Sequence, residues 1–218
     1  YTKRGVSSIV AKTFDPLNYL LPFTMLLRLF LQQIWATKID WDEELDEVWK
    51  GKFNAIIKNM HKLTEIKIPR WIKTVENSMM TLIGFSDASG LGKAAVIYSR
   101  TKVEESFAIN LIIAKGSVNK LKTSKVVSSN QETIPKLELQ ALLMLAELYE
   151  QIKKCFSHLN VKFQAYVDSK IIIYWVRNLT PNKNKFVQRR VEKIRELLNP
   201  YDIHYVNTKL NPADIPSR

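Results

Sequence analysis

The chain of 218 residues is 46% hydrophobic and 25% charged, which excludes a wholly disordered protein and allows one large domain or two small ones. Its one cysteine, Cys155, excludes an internal disulfide and a zinc site of paired cysteines, and it favours a reducing compartment. The formal net charge of +12 favours polyanionic partners, above all nucleic acid, although a basic surface that only serves solubility explains it equally well.

The first part of the chain carries helical patterns. Apolar side chains recur at helical spacing in residues 23–36, directly after Pro22, and again in residues 43–60. An acidic cluster in residues 40–47 lies at the start of the second pattern, where the helix dipole favours negative charge. We interpret this cluster as capping and solvation and not as a metal site.

The most apolar stretch, residues 19–35, does not have the character of a membrane span. It is interrupted by Pro22, Arg28, Gln32 and Gln33, whereas a spanning helix needs about 20 nearly uncharged residues. We therefore expect no membrane partner.

From residue 81 onward the pattern changes to strands that alternate with helices. Strands are predicted over 81–85, 94–99, 106–114, 161–167 and 203–206, and helices over 135–148, 169–177 and 185–198, with a lysine-bearing loop over 115–132. This order predicts an α/β fold: a mixed five-stranded sheet flanked by helices, preceded by a small helical segment. We place the boundary between a helical segment, 1–75, and an α/β domain, 76–218.

Three carboxylates occupy positions that a plain core does not explain. Asp87 and Asp168 each follow a predicted strand, and strand ends in α/β sheets are where reactive groups converge. Glu138 lies on the apolar stripe of its helix, where an unpaired charge would cost several kcal/mol. That stripe is completed by Ala141, Leu142 and Leu145. A helix whose first turn is simply exposed is the alternative for Glu138.

A fourth carboxylate, Asp214, follows the last predicted strand at a helix start, where aspartate is usually a cap. Together with the other three it suggests a cation site, because carboxylates suit hard Mg²⁺ or Mn²⁺. Two such ions about 4 Å apart stabilise both oxygens of a phosphodiester displacement. We therefore predict two Mg²⁺ ions, with Mn²⁺ as the alternative.

Four motifs in order resemble the ribonuclease H domain of a reverse transcriptase, and more narrowly that of BEL/Pao LTR retrotransposons. They are Phe85-Ser-Asp-Ala-Ser89, Ile134-Pro-Lys-Leu-Glu-Leu139, Tyr166-Val-Asp-Ser169 and Asn211-Pro-Ala-Asp214 with Ser217-Arg218. Upstream, Phe14-Asp-Pro-Leu17, Leu21-Pro-Phe23 and Ile68-Pro-Arg70 are similar to the segment that joins polymerase and nuclease in those polyproteins. The resemblance covers nearly the whole chain.

The resemblance implies a ribonuclease H-like fold and a metal-dependent endonuclease that cuts the RNA strand of RNA–DNA hybrids. It assigns Asp87, Glu138, Asp168 and Asp214 as catalytic and metal-binding residues, which should converge in space. The implied partners are an RNA–DNA hybrid and the adjacent polymerase domain of the same polyprotein, in an intracellular and mainly cytoplasmic particle with nuclear access. Many relatives carry a histidine loop before the last aspartate, which this chain lacks.

Basic residues suggest where nucleic acid binds. Seven basic residues lie between 177 and 195, with only Glu192 opposing them, and of these Arg189, Arg190 and Lys193 fall off the apolar stripe. Lys115 and Lys122 lie in the predicted loop. By analogy with the family, Glu138 and the backbone around Ser89 and Gly90 would read the ribose 2′-hydroxyl, and Lys170 could reach the same strand. A solvated basic surface is the alternative for all the lysines and arginines.

Three functions remain open at this level. The first is the metal-dependent hybrid ribonuclease. The second is a non-catalytic scaffold that binds template–primer and supports the polymerase, and the third is a host-adopted nucleic-acid-binding module. An integrase fits poorly, because it would place a glutamate last among three acidic residues. The presence of all four carboxylates favours the enzyme.

Overall fold

The structure, a computed structural model, describes residues 1–58, 60–74, 79–121 and 133–218. The helices are α1 Lys3–Lys12, α2 Leu21–Trp35, α3 Glu47–Ile57, α4 Ile134–Lys153, α5 Lys170–Arg177, α6 Lys185–Leu197 and α7 Asp214–Ser217. The strands are β1 Met80–Ala88, β2 Gly92–Val103, β3 Ser106–Val118, β4 Val161–Val167 and β5 Ile203–Tyr205.

The five strands form one mixed sheet in the order β3-β2-β1-β4-β5. Strands β1, β2 and β3 pair antiparallel, while β4 pairs parallel with both β1 and β5. The parallel pairing of β1 with β4 requires a crossover, which α4 provides. The predicted mixed five-stranded sheet is therefore confirmed. Strand β2 is longer than predicted because its hairpin with β3 pairs up to Val103 and Ser106. The predicted start of the lysine-bearing loop at residue 115 is wrong, because residues 115–118 continue β3 and pair with residues 92–95 of β2.

One face of the sheet carries the main core. Helices α4, α5 and α6 pack on it through a cluster that includes Leu82, Ile97, Leu142, Leu145 and Ile194. Gly84 in β1 allows the close approach of α4, because a Cβ atom there would lie 2.7 Å from Leu145 Cδ1. This approach fixes the height of α4 over β1, and with it the position of the residues at the start of α4.

The other face is partly covered by α2 and α7. Leu21 and Met25 of α2 are buried against Ala94, Val96 and Ala114 of the sheet, and Ala213 joins the same cluster. Helix α2 also packs on α1 and α3 through a separate apolar cluster. The described part of residues 1–74 contributes helices and no strand to this sheet. The boundary that we predict at 75/76 lies outside the described residues.

Two features of the N-terminal segment differ from the sequence-based expectation. Helix α1, which the apolar pattern did not reveal, begins after Thr2, whose hydroxyl accepts a hydrogen bond from Gly5 N at 3.1 Å. Helix α3 starts later than predicted, because Asp46 caps it by accepting a hydrogen bond from Trp49 N at 2.9 Å. The predicted capping role of the acidic cluster thus rests on this one aspartate.

Among the helices in the described ranges, none is both long enough and apolar enough to cross a bilayer. The most apolar of the N-terminal helices, α2, instead buries its apolar residues against α1, α3 and the sheet.

Candidate active site

Two of the four carboxylates are brought together by strand pairing. Strands β1 and β4 run parallel and in register, with Ser86 opposite Val167, so the next residues along each strand are Asp87 and Asp168. Asp87 is 5% exposed and Asp168 is half-buried. Asp168 Oδ2 accepts a hydrogen bond at 2.8 Å from the hydroxyl of Thr208, which lies in the segment after β5.

Glu138 reaches the same edge because α4 runs over β1. Leu145 lies against Gly84, and Glu138 precedes Leu145 by two helical turns, or about 10 Å. Asp87 lies three residues beyond Gly84 on β1, again about 10 Å along the strand. The two side chains therefore lie toward the same end of the sheet, where the charge of Asp87 acts on Glu138. Glu138 is half-buried, so its place on the apolar stripe reflects this position and not an exposed first turn.

Asp214 is supplied by the C-terminal segment. The buried Asn211 side chain donates a hydrogen bond to Ser86 O at 3.1 Å and accepts one from Ala213 N at 3.1 Å. These bonds tie the start of α7, and thus Asp214, to the end of β1. Arg218 Nε lies 2.6 Å from Asp214 Oδ1 as an ion pair, but without the alignment of a hydrogen bond, so this buried oxygen has no hydrogen-bond partner among the described residues.

The four carboxylates act on one another electrostatically. Burial raises the pKa of Asp87, and the negative charges of Asp168 and Asp214 raise it further, against the hydrogen bonds from Ser217 and the Ala88 backbone. Burial also raises the pKa of Glu138, and the charges of Asp168 and Asp87 add to this effect against a hydrogen bond with Ser169. All four groups thus lie within one local field, although they come from β1, α4, β4 and α7.

The donor chemistry of this edge fits hard divalent cations. It offers carboxylate oxygens and concentrates negative charge, and one of these oxygens, Asp214 Oδ1, is ion-paired with Arg218. Within the described ranges, no three His, Cys, Asp or Glu side chains are already arranged as the ligands of one ion. The carboxylates are thus near enough to raise the pKa values of Asp87 and Glu138, but in the described part of the chain they do not form a ready set of ligands.

Two serine hydroxyls at this edge make hydrogen bonds within the protein. The Ser217 hydroxyl donates to Asp87 Oδ2 and the Ser89 hydroxyl donates to the Ser217 carbonyl. The Ser89 hydroxyl also accepts from Leu91 N at 3.0 Å. The Ser89 side chain is therefore engaged internally, whereas Gly90 is exposed with open space around it. Contact of Ser89 and Gly90 with a ribose stays a prediction.

The predicted basic contacts fall into different environments. Arg189 is exposed on α6, while Lys193 is ion-paired with Glu196 at 2.8 Å. Arg190 packs over Phe186, with its guanidinium carbon 3.4 Å from the ring centroid, and donates to Phe186 O at 3.1 Å. Arg189 is thus the residue of the three with the most freedom to meet a phosphate.

The remaining predicted contacts are the lysines. Lys115 is half-buried on β3 opposite Ala95. Lys170 is exposed at the start of α5, with its ammonium 5.2 Å from the Tyr205 ring centroid. Lys122 lies outside the described residues. Lys170 comes two residues after Asp168 at the end of β4, and its role in binding stays a prediction.

Sequence reasoning missed the groups that hold the carboxylates. Thr208, Asn211 and Ser217 each bond to a carboxylate or to the strand that carries it. Asn211 and Ser217 belong to the motif around Asp214, so a signal for them was present. Thr208 lies outside every motif, and its contact with Asp168 depends on the path of the chain after β5.

A mixed sheet of this order, with helices on both faces and four acidic side chains at one end, defines a ribonuclease H-like domain. The chain belongs to the family described as the Pao retrotransposon-like RNaseH-like domain, whose model matches residues 2–169. The matched range includes the N-terminal helices and the first three carboxylates. Curated proteins gave no match.

Solved structures with a similar fold include ribonucleases and a reverse transcriptase. Ribonuclease H1 from Halobacterium salinarum NRC-1 is 15% identical over 61% of this chain and 90% of that chain, with a TM-score of 0.39. LC11-RNase H1, isolated from compost and solved with an RNA/DNA hybrid, is 12% identical over 61% and 88%, with a TM-score of 0.37. A foamy viral protease-reverse transcriptase with double-stranded DNA is 12% identical over 95% and 35%, with a TM-score of 0.44.

Burial of the Glu138 carboxylate should lower the free energy of unfolding when the group is ionised. Its pKa is raised, so the stability that this group contributes is fully present at low pH and is lost as the pH rises through the folded-state pKa. We expect Glu138→Gln to raise the free energy of unfolding of the metal-free protein at pH 7 by about 0.5–2 kcal/mol. The gain should shrink as the pH falls toward the ordinary carboxyl value of 4.5.

Urea unfolding in the presence of a chelator, at pH 7 and near pH 4.5, measures this difference. Glu147→Gln, on the exposed side of α4, is the matched control and should leave stability nearly unchanged at both pH values. A Glu138→Gln protein that is less stable than the parent at pH 7 would show that the carboxylate is stabilised and not strained.

Proposed function

We propose that this domain is a divalent-metal-dependent endonuclease that hydrolyses the RNA strand of RNA–DNA hybrids during reverse transcription of a retrotransposon. The proposal is supported by the mutual electrostatic influence of the carboxylates, since Asp168 and Asp214 act on Asp87, and Asp168 and Asp87 act on Glu138, at the carboxyl end of β1 and β4. A group of mutually repelling, partly buried carboxylates is costly to the fold and is expected where a cation binds.

The chain's own residues would divide the work as follows. Asp87, Glu138, Asp168 and Asp214 would hold two Mg²⁺ ions, or Mn²⁺, which stabilise the attacking and leaving oxygens of a phosphodiester displacement. Thr208 orients Asp168 and Ser217 orients Asp87 by donating hydrogen bonds. Arg218 places a positive charge beside Asp214 and so offsets part of the repulsion between the carboxylates in the metal-free protein.

Substrate binding would combine phosphate contacts with recognition of ribose. Lys170 is exposed two residues after Asp168. Arg189 is exposed on α6, and the start of that helix contacts the start of α4, where the Lys136 ammonium lies 5.7 Å from the Phe186 ring centroid. Phosphate contacts from such residues would give affinity without sequence preference. Choice of the RNA strand would come from the 2′-hydroxyl and from the shape of the hybrid. We propose the adjacent polymerase domain as the second partner, because residues 1–74 are similar to the segment that joins it.

The role of Arg189 leads to a prediction about affinity. We expect Arg189→Ala to weaken binding of a short RNA–DNA hybrid and to reduce the slope of log affinity against log salt by about one, because one phosphate contact is lost. The rate of cleavage in the saturated complex should stay within about twofold of the parent. Fluorescence anisotropy over a salt series measures the first effect, and single-turnover cleavage measures the second.

Lys154→Ala is the control for Arg189→Ala. Lys154 is exposed beyond the C-terminus of α4, so its loss removes the same charge at the end of the helix that lies opposite Glu138. Equal losses of affinity in the two variants would show that Arg189 on α6 does not contact a phosphate of the hybrid and that only the net charge of the protein affects binding.

A panel of duplexes separates the enzyme from its rivals. The protein is incubated with RNA–DNA hybrid, double-stranded RNA and double-stranded DNA of one sequence, and binding and cleavage are both measured. The enzyme predicts cleavage confined to the hybrid. Tight binding of the hybrid without cleavage, also when the polymerase domain is attached, would replace the proposal with the scaffold function.

A further inference from the structure

A series of hydrogen bonds connects helix α2 with the turn between β1 and β2. Gln32 Nε2, on α2, donates to the Asn119 carbonyl at 2.6 Å. The Asn119 side chain in turn donates from Nδ2 to the Ser89 carbonyl at 2.8 Å, and Asn119 N donates to Leu91 O at 2.8 Å. Helix α2 thereby holds the segment after β3, which holds both sides of the β1–β2 turn.

The series continues from this turn into the carboxylate site. The Ser89 hydroxyl donates to the Ser217 carbonyl, and the Ser217 hydroxyl donates to Asp87 Oδ2. Ser217 is 1% exposed, so these bonds form where water cannot replace them. The Ser217 carbonyl is held by Ser89, and the Ser217 hydroxyl lies within hydrogen-bond distance of Asp87 Oδ2 and, at the longer distance of 3.0 Å, of the Asp214 carbonyl. Because a hydroxyl has one proton to donate, the shorter contact is the one that holds Asp87.

Packing around Gly92 joins the same parts of the molecule. A Cβ atom at Gly92 would lie 2.6 Å from Met25 Cε of α2, 3.1 Å from Ser117 O and 3.7 Å from Ser217 O. Helix α2, the β1–β2 turn and the C-terminal segment therefore meet at one residue that has no side chain. A displacement of α2 would therefore disturb the packing between this turn and the C-terminal segment.

We propose that Gln32, Ser89 and Ser217 are positioning residues that set the orientation of the Asp87 carboxylate, so that helix α2 forms part of the support of the active site. The orientation of Asp87 follows from the hydrogen bonds alone. Its effect on catalysis rests on the proposed function, because it requires that Asp87 holds a metal ion. Through α2, the position of the segment before the nuclease sheet is transmitted to the carboxylate edge.

Ser217 would act as a residue that does not touch the metal ion but hydrogen-bonds to a side chain that does. A hydroxyl that donates to one oxygen of a carboxylate fixes the direction of its other oxygen, and loss of such a partner typically costs 10–100-fold in metal affinity or activity. Gln32 lies three hydrogen bonds further back, so its loss should act in the same direction with a smaller effect. A route of this kind is demonstrated only when the effects of its members depend on one another.

The experiment compares Ser217→Ala, Ser217→Thr, Gln32→Ala and the double variant Gln32→Ala with Ser217→Ala. Gln33→Ala is the control, since Gln33 is the exposed neighbour of Gln32 on the same helix. Mg²⁺ affinity is measured by calorimetry without substrate, and the amide signals of Asp87 and Ala88 are followed by NMR in metal-free protein. Hybrid cleavage gives kcat and KM separately.

We expect Ser217→Ala to lower Mg²⁺ affinity and kcat by about 10-fold or more, with KM for the hybrid unchanged. Ser217→Thr keeps the hydroxyl and should restore most of both values. Gln32→Ala should shift the amide signals of Asp87 and Ala88 and lower Mg²⁺ affinity a few-fold, whereas Gln33→Ala should do neither. The double variant should lose no more than Ser217→Ala alone, because Gln32 acts through Ser217.

Failure of this proposal and failure of the proposed function give different results. If Gln32→Ala leaves the Asp87 and Ala88 signals and the Mg²⁺ affinity unchanged, or if its effect adds to that of Ser217→Ala in full, the positioning proposal is overturned even if the parent protein cuts hybrids. If the parent cuts nothing while the signals and the Mg²⁺ affinity respond as expected, the positioning proposal stands and the nuclease function does not.

Discussion

Asp168→Asn is expected to reduce cleavage of an RNA–DNA hybrid by at least about 10²–10³-fold while hybrid binding persists. The substitution retains the size of the side chain and an oxygen that can accept the hydrogen bond from Thr208, which is 2.8 Å long in the parent protein. It removes one of the charges that raise the pKa values of Asp87 and Glu138, and with it one carboxylate that would hold a cation. Binding at low salt should be equal or slightly stronger, because one negative charge near the phosphates is lost.

The matched control for this substitution is Asp202→Asn. Asp202 directly precedes β5, which runs parallel to β4, so it lies at the opposite end of the sheet from Asp168. The control should cleave at the parent rate. Unchanged cleavage by the Asp168→Asn protein would remove this residue from the catalytic set, whatever the fold.

Met25→Ala is expected to destabilise the nuclease sheet although Met25 belongs to the N-terminal helical segment. Its side chain is 1% exposed and lies against the sheet at Gly92 and Gly116, which have no side chain of their own. Truncation of such a buried methionine leaves a cavity and typically costs about 2–5 kcal/mol. Thermal and urea unfolding should show one transition shifted as a whole, because the cavity lies between α2 and the strands.

Leu26→Ala provides the control on the same helix. Leu26 is 46% exposed, so its replacement by alanine should change the free energy of unfolding by no more than about 0.5 kcal/mol. If Met25→Ala instead lowers only an early transition and leaves the unfolding of the sheet untouched, α2 belongs to an independent unit and not to the core of the nuclease.

Much of the sheet could be predicted from the sequence because its elements have strong local patterns. Strand β4 matches the predicted range 161–167, and α6 matches 185–198 to within one residue, since both combine clear periodicity with marked ends. Glu138 could be selected as a site residue because a carboxylate on an apolar stripe has no local explanation. Its meeting with Asp87 also required Gly84, whose missing side chain sets the height of α4 and carries no such local signal.

The groups that support the site could not be predicted, because they depend on contacts between distant parts of the chain. Thr208 bonds to Asp168 across 40 residues, and Ser217 bonds to Asp87 across 130. The packing of α2 on the second face of the sheet is of the same kind. A helical pattern shows which face of α2 is apolar, but not that the partner of Met25 is a pair of strand glycines.

The proposed nuclease activity is tested most directly by cleavage of a hybrid labelled with different dyes on its RNA and DNA strands. The protein is mixed with this hybrid in Mg²⁺, in Mn²⁺ and in chelator, and both strands are resolved on a denaturing gel. We expect that the RNA strand is shortened with either ion, that the DNA strand stays intact, and that chelator stops the reaction. Cleavage of the DNA strand, or equal RNA cleavage in chelator, would contradict it.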